Sequence, residues 1–316
     1  MKSVILETKK QTTKPTSSRP YSTPLALTKT VVQNLIQNLR NLKLYFLTFL
    51  FISTLNSCKQ EENLKLSSEN AIPKFTEKQQ DSLKDIYLNN GAWLTDVYSQ
   101  DWQNEIDKGL KVDSTIAYFW QQKAMPLFKQ GKYEVGMTFI DKAVKYNPER
   151  WQRYRAFIKC IFSKQYKDAI IDFTDYQETY GYGFEMDHSY NFYIALSYLQ
   201  LSEFEKAENL FEKDYERTID KKGEDWLHHL DLFYYGISKY ELKKYEEALV
   251  LFDQALERYP QFSDVQYYKT KVLYKLGEIE EAESVYKSAK ENARKGFSIN
   301  EDNVVYERYP YQVRWN

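Results

Sequence analysis

From about residue 78 onward, apolar residues recur at intervals of three and four, the spacing that places them on one face of an α-helix. Tyr245, Ala248, Phe252 and Ala255 form the clearest such stripe, and Pro260 closes it. Period-two alternation, the mark of a half-buried strand, is scarce. Residues 59–77 are polar, contain Pro73 and keep no period, which suits a flexible tether. A separate apolar run, Leu44 to Ile52, stands before it and is far short of the roughly 20 residues that cross a bilayer as a helix.

The helical pattern is itself repeated. Gly131-Lys132-Tyr133, Lys164-Gln165-Tyr166, Ser202-Glu203-Phe204, Lys243-Lys244-Tyr245 and Gly277-Glu278-Ile279 occupy equivalent positions, at steps of 33, 38, 41 and 34 residues. Three residues after each comes Gly136, Ala169, Ala207, Ala248 or Ala282, and four further on Ile140, Phe173, Phe211, Phe252 or Tyr286. A small residue lets two helices approach, and a bulky one fills the space beside it. The longest step accommodates an extended connection through Lys221-Lys222-Gly223-Glu224-Asp225.

This spacing resembles the tetratricopeptide repeat, a pair of antiparallel helices. The resemblance implies an all-α, right-handed solenoid of antiparallel helix pairs, with five units over residues 117–296. The second unit, with Phe157 where a small residue is usual, is the degenerate one. Residues 78–116 include Trp102 to Leu110, which resembles the second helix of a further unit, and are expected to cap the stack. Residues 297–316 lose helical periodicity. They are expected to pack as an extended tail on the last helices, with recognition as their alternative role.

Residues 1–57 carry eight basic and one acidic residue, a net charge of +7, whereas the rest carries 36 basic and 44 acidic residues, a net charge of -8. The basic lead, the apolar run and the small residues before Cys58 read as a secretory signal. Leu55-Asn56-Ser57-Cys58 resembles a bacterial lipobox, so Cys58 is the expected lipidation site, and Lys59-Gln60-Glu61-Glu62 resembles the export tether of Bacteroidota surface lipoproteins. Residues 58–77 then form a lipidated cysteine and tether, and the protein is expected on the bacterial outer membrane. Stable attachment needs more than one acyl chain. The acidic main body argues against nonspecific nucleic-acid binding.

Candidate chemistry is sparse. His188, His228 and His229 have no recognised ligand spacing, Gly181-Tyr182-Gly183 is not followed by a phosphate-loop lysine, and Cys160 sits on an apolar helical stretch. No catalytic residue, metal or cofactor is therefore expected, and Gly181 to Gly183 read as a connector.

By the resemblance, the first helix of each unit lines an inner face. Among its positions Tyr118, Tyr154, Phe233, Tyr240, Tyr267, Lys271 and Tyr274 are the candidate partner contacts. The face is mostly aromatic and aliphatic, without the basic pattern by which some family members clamp a carboxylate. It suits an apolar segment of another protein or of this chain's own tail. The leading expectation is a non-catalytic protein-binding scaffold. A carbohydrate-binding or nutrient-uptake accessory, or a regulatory subunit of an envelope enzyme, is the alternative.

Overall fold

A computed structural model describes residues 74–315. The assignments for residues 1–57, for Cys58 and for the tether up to residue 73 lie outside them. The described residues form twelve α-helices that pack in consecutive pairs, with no closed sheet. The N-terminal segment holds α1 (Glu77–Lys84) and α2 (Gln100–Val112), joined by a π-turn at Asp85–Asn89 and a 3₁₀ turn at Ala92–Leu94. Five pairs follow: α3 (Ala117–Lys129) with α4 (Tyr133–Tyr146), α5 (Pro148–Ile161) with α6 (Tyr166–Tyr180), α7 (Tyr190–Gln200) with α8 (Phe204–Lys222), α9 (His229–Glu241) with α10 (Tyr245–Arg258), and α11 (Ser263–Leu276) with α12 (Ile279–Arg294). None of the described helices is long and apolar enough to cross a membrane.

The turn inside every pair has one residue at positive φ: Gly131, Lys164, Ser202, Lys243 and Gly277, at 72°, 57°, 59°, 61° and 87°. These are the leading residues of the five repeated tripeptides. The left-handed conformation reverses the chain within a few residues, and three pairs adopt it without glycine's steric freedom. After each turn, Gly136, Ala169, Ala207, Ala248 and Ala282 are buried. Ile140, Phe173, Phe211 and Phe252 are buried too, but Tyr286 is 39% exposed, because no further pair follows α12 to cover it. The closest ring contacts are at two glycines: a Cβ on Gly236 would stand 2.5 Å from the Phe252 ring, and one on Gly136 equally close to Phe128.

Phe157, the bulky residue of the second unit, is accommodated edge-on against Phe162 and Tyr193, with ring centroids 5.9 and 5.5 Å away. Cys160 is fully buried and its thiol is pushed up to about 12 by burial. The connector after α6 holds a two-residue hairpin, β1 (Phe184–Glu185) paired antiparallel with β2 (His188–Ser189), turned by Met186 at φ 49°.

The N-terminal segment builds a smaller core of Leu88, Trp102, Ile106, Leu110, Ile116 and Phe119 against α3. It also repairs a break in that helix. Pro126 has no N–H to give the carbonyl of Gln122, four residues earlier. The Trp102 indole N–H donates to that carbonyl at 3.0 Å, so an α2 side chain replaces the missing backbone bond.

Candidate functional site

The face formed by the first helices of the pairs is occupied by the chain's own C-terminus. Residues 297–315 leave α12, run across the pairs to the first, and return to the fifth. On the outward leg the Phe297 carbonyl accepts from Ser263 N–H at 3.1 Å, Asn300 meets the His229 ring at 2.9 Å, and Glu301 faces His188 at 3.4 Å. A 3₁₀ turn at Asp302–Val305 carries the chain to the first pair, where the Lys129 ammonium lies 4.7 Å from the Tyr306 ring centre. Glu307 accepts from the Tyr133 hydroxyl and pairs with Lys164 at 3.5 Å. Returning, Tyr309 is buried, the Pro310 carbonyl accepts from the Tyr234 hydroxyl at 2.7 Å, and Tyr311 packs on Tyr268. Trp315 then meets Tyr267 edge-on, with centroids 5.6 Å apart.

Asp264 ties the two legs together. Its buried carboxylate accepts from Ser298 Oγ at 2.7 Å and Ile299 N–H at 3.2 Å on the outward leg, and from Val313 N–H at 2.6 Å on the return. Gln312 reinforces the closure by donating to Ser298 Oγ at 3.2 Å. Burial raises the Asp264 pKa, and the three donors act against that rise. The tail therefore spans all five pairs rather than only the last helices, and its packing is specified by hydrogen bonds as well as by rings.

The seven candidate contacts separate accordingly. Phe233 is wholly enclosed by Tyr234, Phe252, Phe262 and Tyr268, an interior residue rather than an open-face one, whereas Tyr154 is largely buried beside Trp151 and Phe157 but still lines the open cleft at the first two pairs. Helical spacing alone cannot separate a ring facing the groove from one wedged between helices. Tyr118 is half-buried and stacks on Trp151 at 6.0 Å. Tyr240, Tyr267 and Lys271 come together: the Lys271 ammonium stands 4.7 Å from the Tyr240 ring centre, 5.0 Å from Tyr268 and 5.9 Å from Tyr267. Tyr274 is 46% exposed.

An open cleft of about 720 Å³ remains beside the tail at the first two pairs. Tyr118, Met125, Arg150, Trp151, the hairpin tip at Phe184 and Met186, and Tyr306 line it. Phe184 and Met186 are nearly half exposed. Arg153 and Arg150 reach Glu185 at 3.3 and 3.9 Å, which balances much of the cleft's charge. No sequence pattern announced this cleft, because the hairpin and the tail that wall it are remote from α3 and α5 along the chain.

The fold also gathers histidines that have no ligand spacing in the sequence. His188 on β2, His228 before α9 and Glu301 on the tail each place a ligand atom within 4.8 Å of the others. His188 is fully buried, and its Nδ1 meets Asp231 Oδ1 at 2.6 Å. Burial opposes a charge on His188, but Asp231 and then Glu301 outweigh it and hold the pKa near 10. Burial, together with His188, lowers His228 to about 4.

The helix pairs agree with what known proteins show. A description of the tetratricopeptide repeat matches residues 239–298. The TPR repeat-containing protein YpiA of Bacillus subtilis is 29% identical over 108 residues, which is 34% of this chain and only a quarter of that relative. A crystal structure of a tetratricopeptide repeat protein from Parabacteroides merdae superposes with TM-score 0.54 at 13% identity, covering 72% of this chain and 83% of that one. That of PilW, a type IV pilus biogenesis factor, gives 0.53 at 11%, covering 72% and 97%. Residues 239–298 thus match the tetratricopeptide repeat, and the described helix pairs share the fold of tetratricopeptide-repeat proteins. Domains of this kind typically bind protein or peptide partners.

Proposed function

We propose that the protein is a non-catalytic scaffold of the bacterial envelope, anchored through Cys58, that holds an extended segment of a partner protein in the cleft beside its tail. The supporting observation is the tail itself. The first-helix face already holds an extended peptide through carboxylate-to-amide bonds and ring contacts, the mode by which grooves take unfolded segments. The cleft continues that surface and adds the exposed apolar side chains of Phe184 and Met186. Sugar recognition fits less well: Tyr118 and Trp151 stack on each other and thereby use ring faces that a pyranose would need.

Site-specific photo-cross-linking in the producing cells tests the cleft. A benzophenone side chain at Met125 or Met186 should give discrete protein adducts, whereas one at Val250, exposed on α10, should give none. The same adduct pattern at all three positions would overturn the assignment. Anchoring is tested separately by acyl labelling, which Cys58→Ala should abolish; label persisting in that variant would reject the anchor.

A further inference from the structure

We propose that His188, His228 and Glu301 form a site for a divalent transition-metal ion of the zinc class, and that the ion staples the C-terminal tail to the third and fourth helix pairs. Two imidazoles and one carboxylate make a donor set that suits zinc, leaving a fourth position for water. Geometry agrees with chemistry. Two ligands on one tetrahedral zinc lie about 3.3–3.5 Å apart, given bonds of about 2.0–2.2 Å. His188 Nε2 and Glu301 Oε1 are already 3.4 Å apart, and the full set lies within 4.8 Å, so a closure of at most about 1.5 Å completes the site.

Two further features point to a ligand there. His188 Nε2 is buried without a hydrogen-bond partner, its approach to Glu301 falling short of hydrogen-bond geometry. On the opposite edge of the same ring, Asp231 grips Nδ1 at 2.6 Å. A carboxylate on the far nitrogen is the arrangement that orients a metal-ligating histidine and leaves its other nitrogen to the ion. His228 contributes at some cost, because its Nδ1 accepts the Leu230 N–H at 3.3 Å as the cap of α9. That long bond is the one the ring gives up or rearranges on coordination. Since the three ligands come from β2, the turn before α9 and the tail, a bound ion cross-links segments that the sequence keeps up to 113 residues apart.

The test is calorimetric titration of the full chain, first stripped with chelator, using ZnCl₂ and, as a counter-probe, MgCl₂. The expected result is saturable binding of one zinc per chain, no comparable magnesium binding, and slower amide exchange around Glu301 in the zinc-bound protein. His228→Asn keeps a good helix cap and Glu301→Gln keeps the side chain's size, so both variants should fold. Each should weaken zinc binding at least tenfold, and Asp231→Asn should weaken it about 10–100-fold through loss of the orienting carboxylate. Absence of saturable zinc binding to the parent protein, or binding of undiminished affinity in both ligand variants, would overturn the proposal. Partner cross-linking at Met125 and Met186 reads the cleft independently, so failure of the metal site leaves that result intact.

Discussion

Asp264→Ala is the substitution that most directly tests whether the tail is a built part of the groove. It removes one buried carboxylate that accepts from three tail donors, two of them backbone N–H groups. A hydrogen bond to a charged group contributes about 1.5–3 kcal/mol, and each amide left buried and unpaired costs about 1–3 kcal/mol. The buried carboxylate also carries a desolvation cost, which its raised pKa reports and which the substitution removes. Because the tail can detach and rehydrate its amides, the net loss is bounded by the strength of docking, so about 2–4 kcal/mol is expected. By hydrogen–deuterium exchange, the Ile299 and Val313 amides should open on the order of 30-fold more readily or better. Amides of α3 to α6 should keep their rates. Unchanged exchange in residues 298–313 would refute the tie, and uniform acceleration along the chain would make Asp264 an ordinary core residue.

Four other outcomes follow from the geometry. Gly236→Ala drives a Cβ to 2.5 Å from the Phe252 ring and should cost about 1–3 kcal/mol by overpacking, read by chemical denaturation. Lys243→Gly should stabilise by up to about 1 kcal/mol, since Lys243 is exposed and holds φ 61° that only glycine adopts freely; a lower melting temperature would contradict this. Trp102→Phe leaves the Gln122 carbonyl, already deprived by Pro126, without a donor and should cost about 1–3 kcal/mol, measured as a loss of thermal stability. Glu208, desolvated but held below its ordinary pKa by Lys239 and Lys244, contributes stability that is present above the unfolded carboxylate pKa and lost as pH falls through the folded one. Glu208→Gln should therefore flatten the acid limb of the stability profile, and an unchanged slope below about pH 4.5 would remove this pair from the account.

The repeat register was legible because it is written in local chemistry. A turn residue, a small residue five positions on and a bulky one four beyond that recur five times, and each has a role set within its own helix pair. Gly131 and Gly277 announce their turns, and Ala248 with Phe252 announces the contact across the fourth pair. Tyr154 and Phe233 were harder. Their spacing places them on the first helices, but whether a ring there faces the groove or a neighbouring helix depends on how successive pairs lean together. The hairpin at Phe184–Ser189 is too short to leave a period, and its turn relies on Met186 in a left-handed conformation that its residue type does not advertise.

By itself, then, the sequence determined the helix pairs, their order and the aromatic character of the inner face, since these follow from contacts between residues within about forty positions of each other. Tertiary structure alone decided what covers that face. Residues 297–315 have no periodicity to read, and their conformation comes from partners far away in the chain: Tyr133, Lys164, Tyr234 and Asp264. The cluster of His188, His228 and Glu301 has the same origin. Ligand spacing shows in a sequence when one turn or helix supplies the ligands, whereas here the outward leg of the tail brings Glu301 to two histidines from separate segments.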